Sequence, residues 1–495
     1  MSNNFEAKRF KTYEDKVVTY VEQSNESQQT SYGVKEVVQD IAYIKASPVY
    51  GLVPANFREF TSDGGSTGIE NREFKVSSGT TIYGYGAIQS FRSLNAEYGQ
   101  TALCRFGARF PESVANSWQG CGLVSLTDEL SFGLNGTDFG VWHRYGGEVE
   151  VRTFQITGAA GGSENATVTI NGTAYIIPLT AGTVQHNAWQ VATYLNTNAT
   201  GYYAEQINDK VIVSAASDGA KSDTWSFSSS TATATVTRTT TGVTKTSTFI
   251  AQADFNGDVF EGFDYTKGNL YEIVYGAGYS DIRYSIYNPV LKKFETAHEI
   301  QNVSLIERTN VNNPSLRTGN YVASVGSTTN ISNYCSFISA FVQGLDNPVR
   351  NSRAYSNTKS ISTALTNILT IRNKRIYNGK INQGEIEPLA LSISNEGNKT
   401  LVVELRGNPT VAGEPNYQDI GTNLIVEVDT AGTTVTSNGR FLAGLTVSPG
   451  DTAVLNLKEL ENRIPPTLNL VVAGKQITGG SAGDITATLI WGEDI

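Results

Sequence analysis

Short runs of alternating apolar and polar residues, closed off by turn-forming residues at intervals of about 8–12 positions, fill the chain from Pro48 onward. The stretch "REFKVSSGTTIYGYGAIQSFRS" is typical, and "TALCRFGARF" and "GCGLVSLTDELSFGLNGTDFGVWHRYGG" continue it. A period of two places alternate side chains on one face of a pleated strand, so each run can cover a core only by pairing with others. Many short strands with regular turns imply a sandwich or a barrel. Composition agrees: 24 Tyr, 20 Phe and 48 Gly stand beside a single Met, and tyrosine and phenylalanine favour strands while glycine supplies turns. A chain of 495 residues exceeds what one core fills, so several domains are expected. The fold class is all-β.

Residues 1–47 differ in texture. Val34, Val37, Val38, Ile41 and Ile44 in "VKEVVQDIAYIKAS" fall at helical spacing before Pro48, which predicts a short N-terminal helical arm for attachment to a partner or for packing on its own domain. Residues 48–160 and 248–344 are read as one lectin-like, jelly-roll β-sandwich. Residues 161–247 interrupt it with a small α+β insertion and its connectors. There Val168 and Ile170 lead into an Asn171-Gly172 turn, Pro178 marks an edge strand, and Thr183 caps a helix bearing Val184, Ala188, Val191, Ala192 and Leu195. "TGAAGGSE" and "SSSTATATVTRTTTGVTKTST" read as connectors. Residues 345–360 read as a polar linker, and residues 361–495 as a C-terminal β-sandwich.

The β-β-α-β-β pattern of the insertion resembles modules found in flagellar hook-associated proteins and phage tail proteins, where they decorate a surface. "VANSWQGCGLVSLTDELSFGLNGTDFGVWHRYGG", "TVQHNAWQVA", "KGNLYEIVYGAGYSDIRYSI", "SVGSTTN", "DTAGTTV" and the terminal "LIWGEDI" together resemble β-rich structural virion proteins of aquatic tailed phages and giant DNA viruses. The resemblance covers most of the chain after Pro48 and implies a structural role in a virus particle, without an active site. The expected function is an exposed fibre, spike or adhesin-like component, homo-oligomeric with a trimer favoured. It would contact other virion proteins and a host-surface glycan. A minor capsid or cement protein is the alternative, and a polysaccharide depolymerase the second alternative.

Several partners are disfavoured by charge and pattern. The formal net charge is −10, with 47 acidic and 37 basic residues, so the overall potential opposes a phosphate backbone and nucleic acid is not expected. The small basic cluster Arg372, Lys374 and Arg375 reads as an exposed strand edge protected against aggregation. Cys104, Cys121 and Cys335 show no C-x-x-C spacing and are read as buried free thiols. The polar N-terminus has no apolar signal region, and no apolar run approaches the about 20 residues that span a bilayer. Synthesis in a host cytoplasm and incorporation into a virion follow, with no membrane partner.

Candidate chemistry concentrates in "DFGVWHRYGGEVEVR", residues 138–152. Gly146-Gly147 is read as a hairpin turn joining "FGVWHRY" to "EVEVRTFQI". Glu148 and Glu150, two apart on a strand, would project from one face beside Trp142, Tyr145 and Trp118. Paired carboxylates with aromatic platforms suit sugar chemistry, yet the same alternation describes any half-exposed strand. A solvated strand face is the first reading, a glycan-binding surface of Trp142, Tyr145, Glu148 and Glu150 the second, and catalysis the last. No catalytic residue is assigned, and the protein is expected not to be an enzyme. His143, His186 and His298 lack nucleophile partners, and His143 is read as a hydrogen-bonded residue at a strand end. No cofactor is expected. Calcium is the one ion considered: Asp254, Asn256 and Asp258 match the first three ligands of a calcium loop. Val259 and Tyr265 then break the match, leaving Glu261 or Asp264 as substitutes or, more simply, an acidic turn.

Overall fold

The computed structural model describes residues 7–13, 16–21, 41–52, 56–94, 96, 99–343, 351–437, 439–458, 463–479 and 481–494. Its strands pair antiparallel into two facing sheets around the largest core. One sheet runs, in spatial order, Thr246–Ala251, Asp138–Tyr145, Glu129–Asn135, Ser117–Val124, Arg317–Ser324, Tyr85–Ser93 and Phe57–Ser62. The facing sheet runs Lys293–Ile300, Ile282–Asn288, Asn269–Gly276, Thr101–Arg109, Ser332–Gln343, Glu73–Ser77 and Ser66–Glu70, with Ile41–Ala46 also paired to Ser332–Gln343. Register accounts for the alternation in sequence. Leu130, Phe132 and Leu134 sit opposite Leu123, Cys121 and Gln119 on one side and His143, Val141 and Phe139 on the other, all on the core face. Glu129 and Ser131 pair with Arg144 and Trp142 on the outer face. Aromatic rings fill the interior: Phe132 lies 4.7 Å from Tyr271 and 5.5 Å from Tyr284. Cys104, Cys121 and Cys335 are buried free thiols in the same core.

The end of the proposed N-terminal helix is a strand. Along Ile41–Ala46, Ile44 and Ala46 are buried while Lys45 is exposed, a period of two that serves the open edge of Ser332–Gln343. Val34, Val37 and Val38 lie outside the described residues. Residues 7–13 and 16–21 pair as a β-hairpin.

Gly146-Gly147 does not close a hairpin. The Asp138–Tyr145 strand pairs with Glu129–Asn135 and Thr246–Ala251, whereas Val149–Gly158 pairs with Lys210–Asp218 and Thr233–Thr240 in the insertion's own sheet. The chain therefore leaves the sandwich at Gly146, whose φ of 79° suits glycine, and returns at Thr246, opposite Tyr145. Val149–Gly158 thus belongs to the insertion, and so does the threonine-rich stretch expected as a connector, whose β-branched residues form the strand Thr233–Thr240. A small sheet of Thr173–Leu179, Glu164–Ile170 and Ser226–Ser228 and the helix Val184–Asn198 complete the module. Thr183 caps that helix by accepting the His186 N–H at 3.1 Å, and Ala188, Val191, Ala192 and Leu195 bury its apolar face. Pro178 stands on the outermost strand, where its missing N–H costs no ladder bond.

Of the expected linker, residues 345–350 lie outside the described residues and the remainder is strand. Asn351–Ile361 pairs with Gly483–Asp494 along its whole length, and its polar residues alternate with half-buried ones at a sheet edge. With Glu385–Asn395 and Thr452–Asn456 these form one sheet of the C-terminal sandwich. The other runs Gln418–Asp419, Val426–Asp429, Thr366–Asn373, Asn469–Gln476, Leu401–Gly407 and Arg440–Val447. Trp491 is fully buried between them, its Nε1–H donating to Glu493 at 3.1 Å.

Candidate functional site

Most of residues 138–152 lie in the protein's interior rather than on display. Trp142 is only 3% exposed. Its ring packs 4.7 Å from Phe249 and 6.1 Å from Trp118, and its Nε1–H donates to the Gln119 carbonyl. The Arg144 guanidinium lies 3.9 Å from its centroid and pairs with Glu129 at 2.7 Å. Tyr321 donates to the same carboxylate at 2.7 Å, completing a buried ionic ladder across the outer face of the sheet. Although burial alone would lower the Arg144 pKa, Glu129 and Tyr321 hold it above its ordinary value. Tyr145 stacks on His143 with centroids 4.4 Å apart, and Arg308 covers it at 4.3 Å. Trp142 and Tyr145 are therefore not a stacking platform for a sugar.

Glu148 and Glu150 both follow the strand change at Gly146 and are committed to different partners. The Glu148 backbone bridges Val243 through a reciprocal pair of hydrogen bonds of 2.8 and 2.9 Å, clamping the stalk of the insertion, and its carboxylate lies 3.3 Å from Lys380. Glu150 is 0% exposed, bonded at 2.8 Å to both Arg152 and Arg238 and at 3.0 Å to the Gly242 N–H. Burial alone would raise its carboxyl, but the Gly242 N–H and the two guanidinium groups hold it below the usual range. A carboxylate so occupied neither attacks nor donates a proton. The pair is neither a glycan surface nor an acid–base couple.

The calcium-like loop performs a structural task. The Asn256 side chain accepts the Glu299 N–H and donates to the Glu299 carbonyl, both at 2.8 Å, while Gly257 and Asp258 N–H groups donate to Ala297 and Thr296. The loop thereby covers the edge strand Lys293–Ile300, with both polar atoms of Asn256 used. Asp254 ends an exposed turn, and Asp264 accepts the Thr266 N–H and hydroxyl. The side-chain oxygen of Asn256, the middle of the three proposed ligands, is thus committed to the Glu299 N–H. Among the described residues no group of three or more His, Cys, Asp or Glu side chains is placed to hold a metal. The His143 Nε2–H donates to the Asn310 carbonyl at 2.9 Å, and burial lowers the pKa of its ring. His186 meets Glu414 at 2.6 Å, and the His298 Nδ1 accepts the Asn256 N–H.

The cluster Arg372, Lys374 and Arg375, expected as an exposed strand edge, is instead largely covered. Arg372 donates to Glu427 at 3.0 Å through Nε and to the Gln206 carbonyl at 3.0 Å through Nη2, and lies 3.7 Å from the Tyr417 ring. Arg375 stacks on Tyr203 at 3.7 Å, and its N–H donates to Glu205 at 3.1 Å. Lys374 is buried, bonded to the Leu424 carbonyl and paired with Asp419. Arg372 and Arg375 thus join the C-terminal sandwich to the insertion, while Lys374 is tied within the C-terminal sandwich itself. Nearby, a fourth apolar cluster draws Leu126 from the first sandwich, Val149, Val151 and Ile212 from the insertion, and Ile376 and Ile381 from the C-terminal part. Ser93 of the first sandwich meets Gln383 and Glu385 at 2.9 and 3.3 Å. The three large cores are thus fused by a joint that is part apolar and part ionic. Basic residues two or three apart beside an Asn-Gly turn are the trace this leaves in sequence, and it does not differ from that of an exposed hairpin.

No family model matches this chain, and no curated protein matches it. Among solved structures it is similar to the binding domain of botulinum neurotoxin serotype C1, at 11% identity over 90% of this chain and 97% of that one, with a TM-score of 0.26. A pseudo β-1,3-glucanase of Mycobacterium tuberculosis aligns at 9% identity over 58% of this chain and 91% of its own, with a TM-score of 0.24. A structure of the triple jelly roll fold and turret assembly in an archaeal virus aligns at 7% identity over 88% and 90%, with a TM-score of 0.16. Scores this low carry no argument about activity or partners. The all-β sandwich class rests on the sheets themselves.

Proposed function

We propose that this chain is a non-enzymatic structural virion protein of a double-stranded DNA virus, an exposed fibre-, spike- or adhesin-like component that attaches through residues 1–47. The observation that carries this reading is the joint: three bodies are welded at Leu126, Val149, Val151, Ile212, Ile376 and Ile381, with Arg372 and Glu427 locked beside them. A protein that must hold a shape under load gains from such an arrangement, whereas a domain-closing enzyme needs the opposite. The consumption of Glu150 in ion pairs removes the carboxylate that a depolymerase would use. Homo-oligomerisation, with a trimer favoured, would multiply weak contacts at a host surface.

Electron cryomicroscopy of the particle, with the chain located in the map, is the test, joined to mass measurement of the isolated protein. Density projecting from the particle with several copies side by side is expected. A strictly monomeric protein seated flat between coat subunits would overturn the reading in favour of a minor capsid or cement protein.

A further inference from the structure

The insertion and the C-terminal sandwich enclose a cleft of about 580 Å³, within the range of small-ligand sites. Its floor is apolar, formed by Val151, Ile207 and Ile212 from the insertion and Ile376 from the small hairpin Ile376–Tyr377/Lys380–Ile381. Tyr377, Asn378, Thr422 and Asn423 also line the cleft, and the side chain of none of them makes a hydrogen bond among the described residues. Thr153 and Thr239 line the opposite wall and bond to each other at 3.0 Å, which leaves further donor and acceptor capacity on each hydroxyl. The charged groups that line the cleft, the buried Lys374 and the exposed Asp419, neutralise each other. Asn378 and Asn423 hold left-handed backbone at φ 48° and 61°, so tight turns present both amides.

We infer that this cleft is a binding site for a neutral saccharide unit. A sugar ring offers an apolar face and a rim of hydroxyls that both donate and accept, and the cleft offers an apolar floor beneath neutral groups that do the same. An anion or a cation would find no unpaired opposite charge there, and a purely apolar ligand would strand the amides. The site is distinct from Trp142, Tyr145, Glu148 and Glu150. It rests on the host-facing reading only for the source of the sugar, because the fit depends on the cleft alone.

Ligand-observed NMR on the purified full chain tests it with free glucose, galactose, mannose, lactose and maltose, and with N-acetylneuraminic acid as the charged comparison. At least one neutral sugar should bind in the millimolar range. Asn423→Gly combined with Tyr377→Phe keeps the backbone and the ring but deletes two hydrogen-bonding groups, and should weaken that binding about tenfold. Thr239→Arg, at an exposed position on the wall, should block it without touching the floor. Trp118→Ala, on the sandwich face, should leave it unchanged. Absence of binding by every neutral sugar at concentrations on the order of 50 mM overturns the inference. Preference for the charged sugar, or binding that survives Thr239→Arg, overturns it as well. None of these outcomes depends on where the protein sits in a particle, so failure here is distinguishable from failure of the virion assignment.

Discussion

Replacing Arg372 by methionine tests whether the joint holds the bodies together. Glu427 is 0% exposed, and its partner guanidinium supplies both Nε and Nη2 to one carboxylate oxygen while its Nη2 also serves the Gln206 carbonyl across the interface. Methionine keeps much of the stem's packing and removes the charge. A buried carboxylate stripped of its partner costs about 3–5 kcal/mol, and the orphaned Gln206 carbonyl adds to the same loss. Burial pushes the Glu427 carboxyl up to about 7 against the pull of Arg372. A folded-state value above the unfolded one of 4.5 means its contribution is full below about 4.5 and is lost as pH rises through about 7. Without Arg372 that carboxyl rises further, so Arg372→Met should cost more near pH 8 than near pH 5. Urea midpoints at both pH values, with Glu427→Gln and the double variant completing a cycle, read the effect. The double variant should recover more than half of the loss. A cost below about 1 kcal/mol, or one that does not change with pH, would refute the reasoning, since the joint would then behave as a solvated surface pair.

Glu164 gives the opposite pH response. The Ser230 hydroxyl foremost, with the Ala232 N–H and Thr231 hydroxyl, holds its carboxyl down to about 2. Its contribution is present above the ordinary carboxylate range near 4.5 and disappears as pH falls toward 2. Urea midpoints should fall across that window in the native protein and fall less steeply in Glu164→Gln. Gly257→Ala should lift the loop from the edge strand, because a Cβ there would meet the Thr296 carbonyl oxygen at 2.1 Å. A loss of about 1–3 kcal/mol is expected, with concentration-dependent association through the uncovered edge of Lys293–Ile300. Light scattering and thermal unfolding check this, and an unchanged protein would show that the loop covers nothing.

What could be read from the chain followed from local periodicity. Val168, Ile170 and the Asn171-Gly172 turn announced a hairpin, and Ala188, Val191, Ala192 and Leu195 announced a helix face, because those patterns are created by neighbours in sequence. Ile41 and Ile44 fitted a helical spacing equally well, and only the free edge of Ser332–Gln343 decided for a strand. The pair Glu148 and Glu150 shows a different limit. Strand alternation puts both on one face of a strand, whereas Glu148 only bridges Val243 ahead of the strand Val149–Gly158, and alternation is blind to the chain leaving one sheet for another at Gly146. It is equally blind to Arg152 and Arg238, the latter 88 residues away, closing on one carboxylate.

Sequence alone determined that this chain would be all-β, would carry one small helical insertion and would bury its three thiols, since the pleat's period of two, turn chemistry and apolar composition act over a few residues. Tertiary structure alone decided that Arg372 and Arg375 would be a joint and not an edge, that Lys374 would be buried within the C-terminal sandwich, and that residues 138–152 would be interior and not site. It also packed Val151 and Ile212 against Ile376 beneath a cleft. These outcomes depend on which surfaces meet. A charged side chain carries no mark in its neighbours of whether its partner will be water or a carboxylate folded against it from another body.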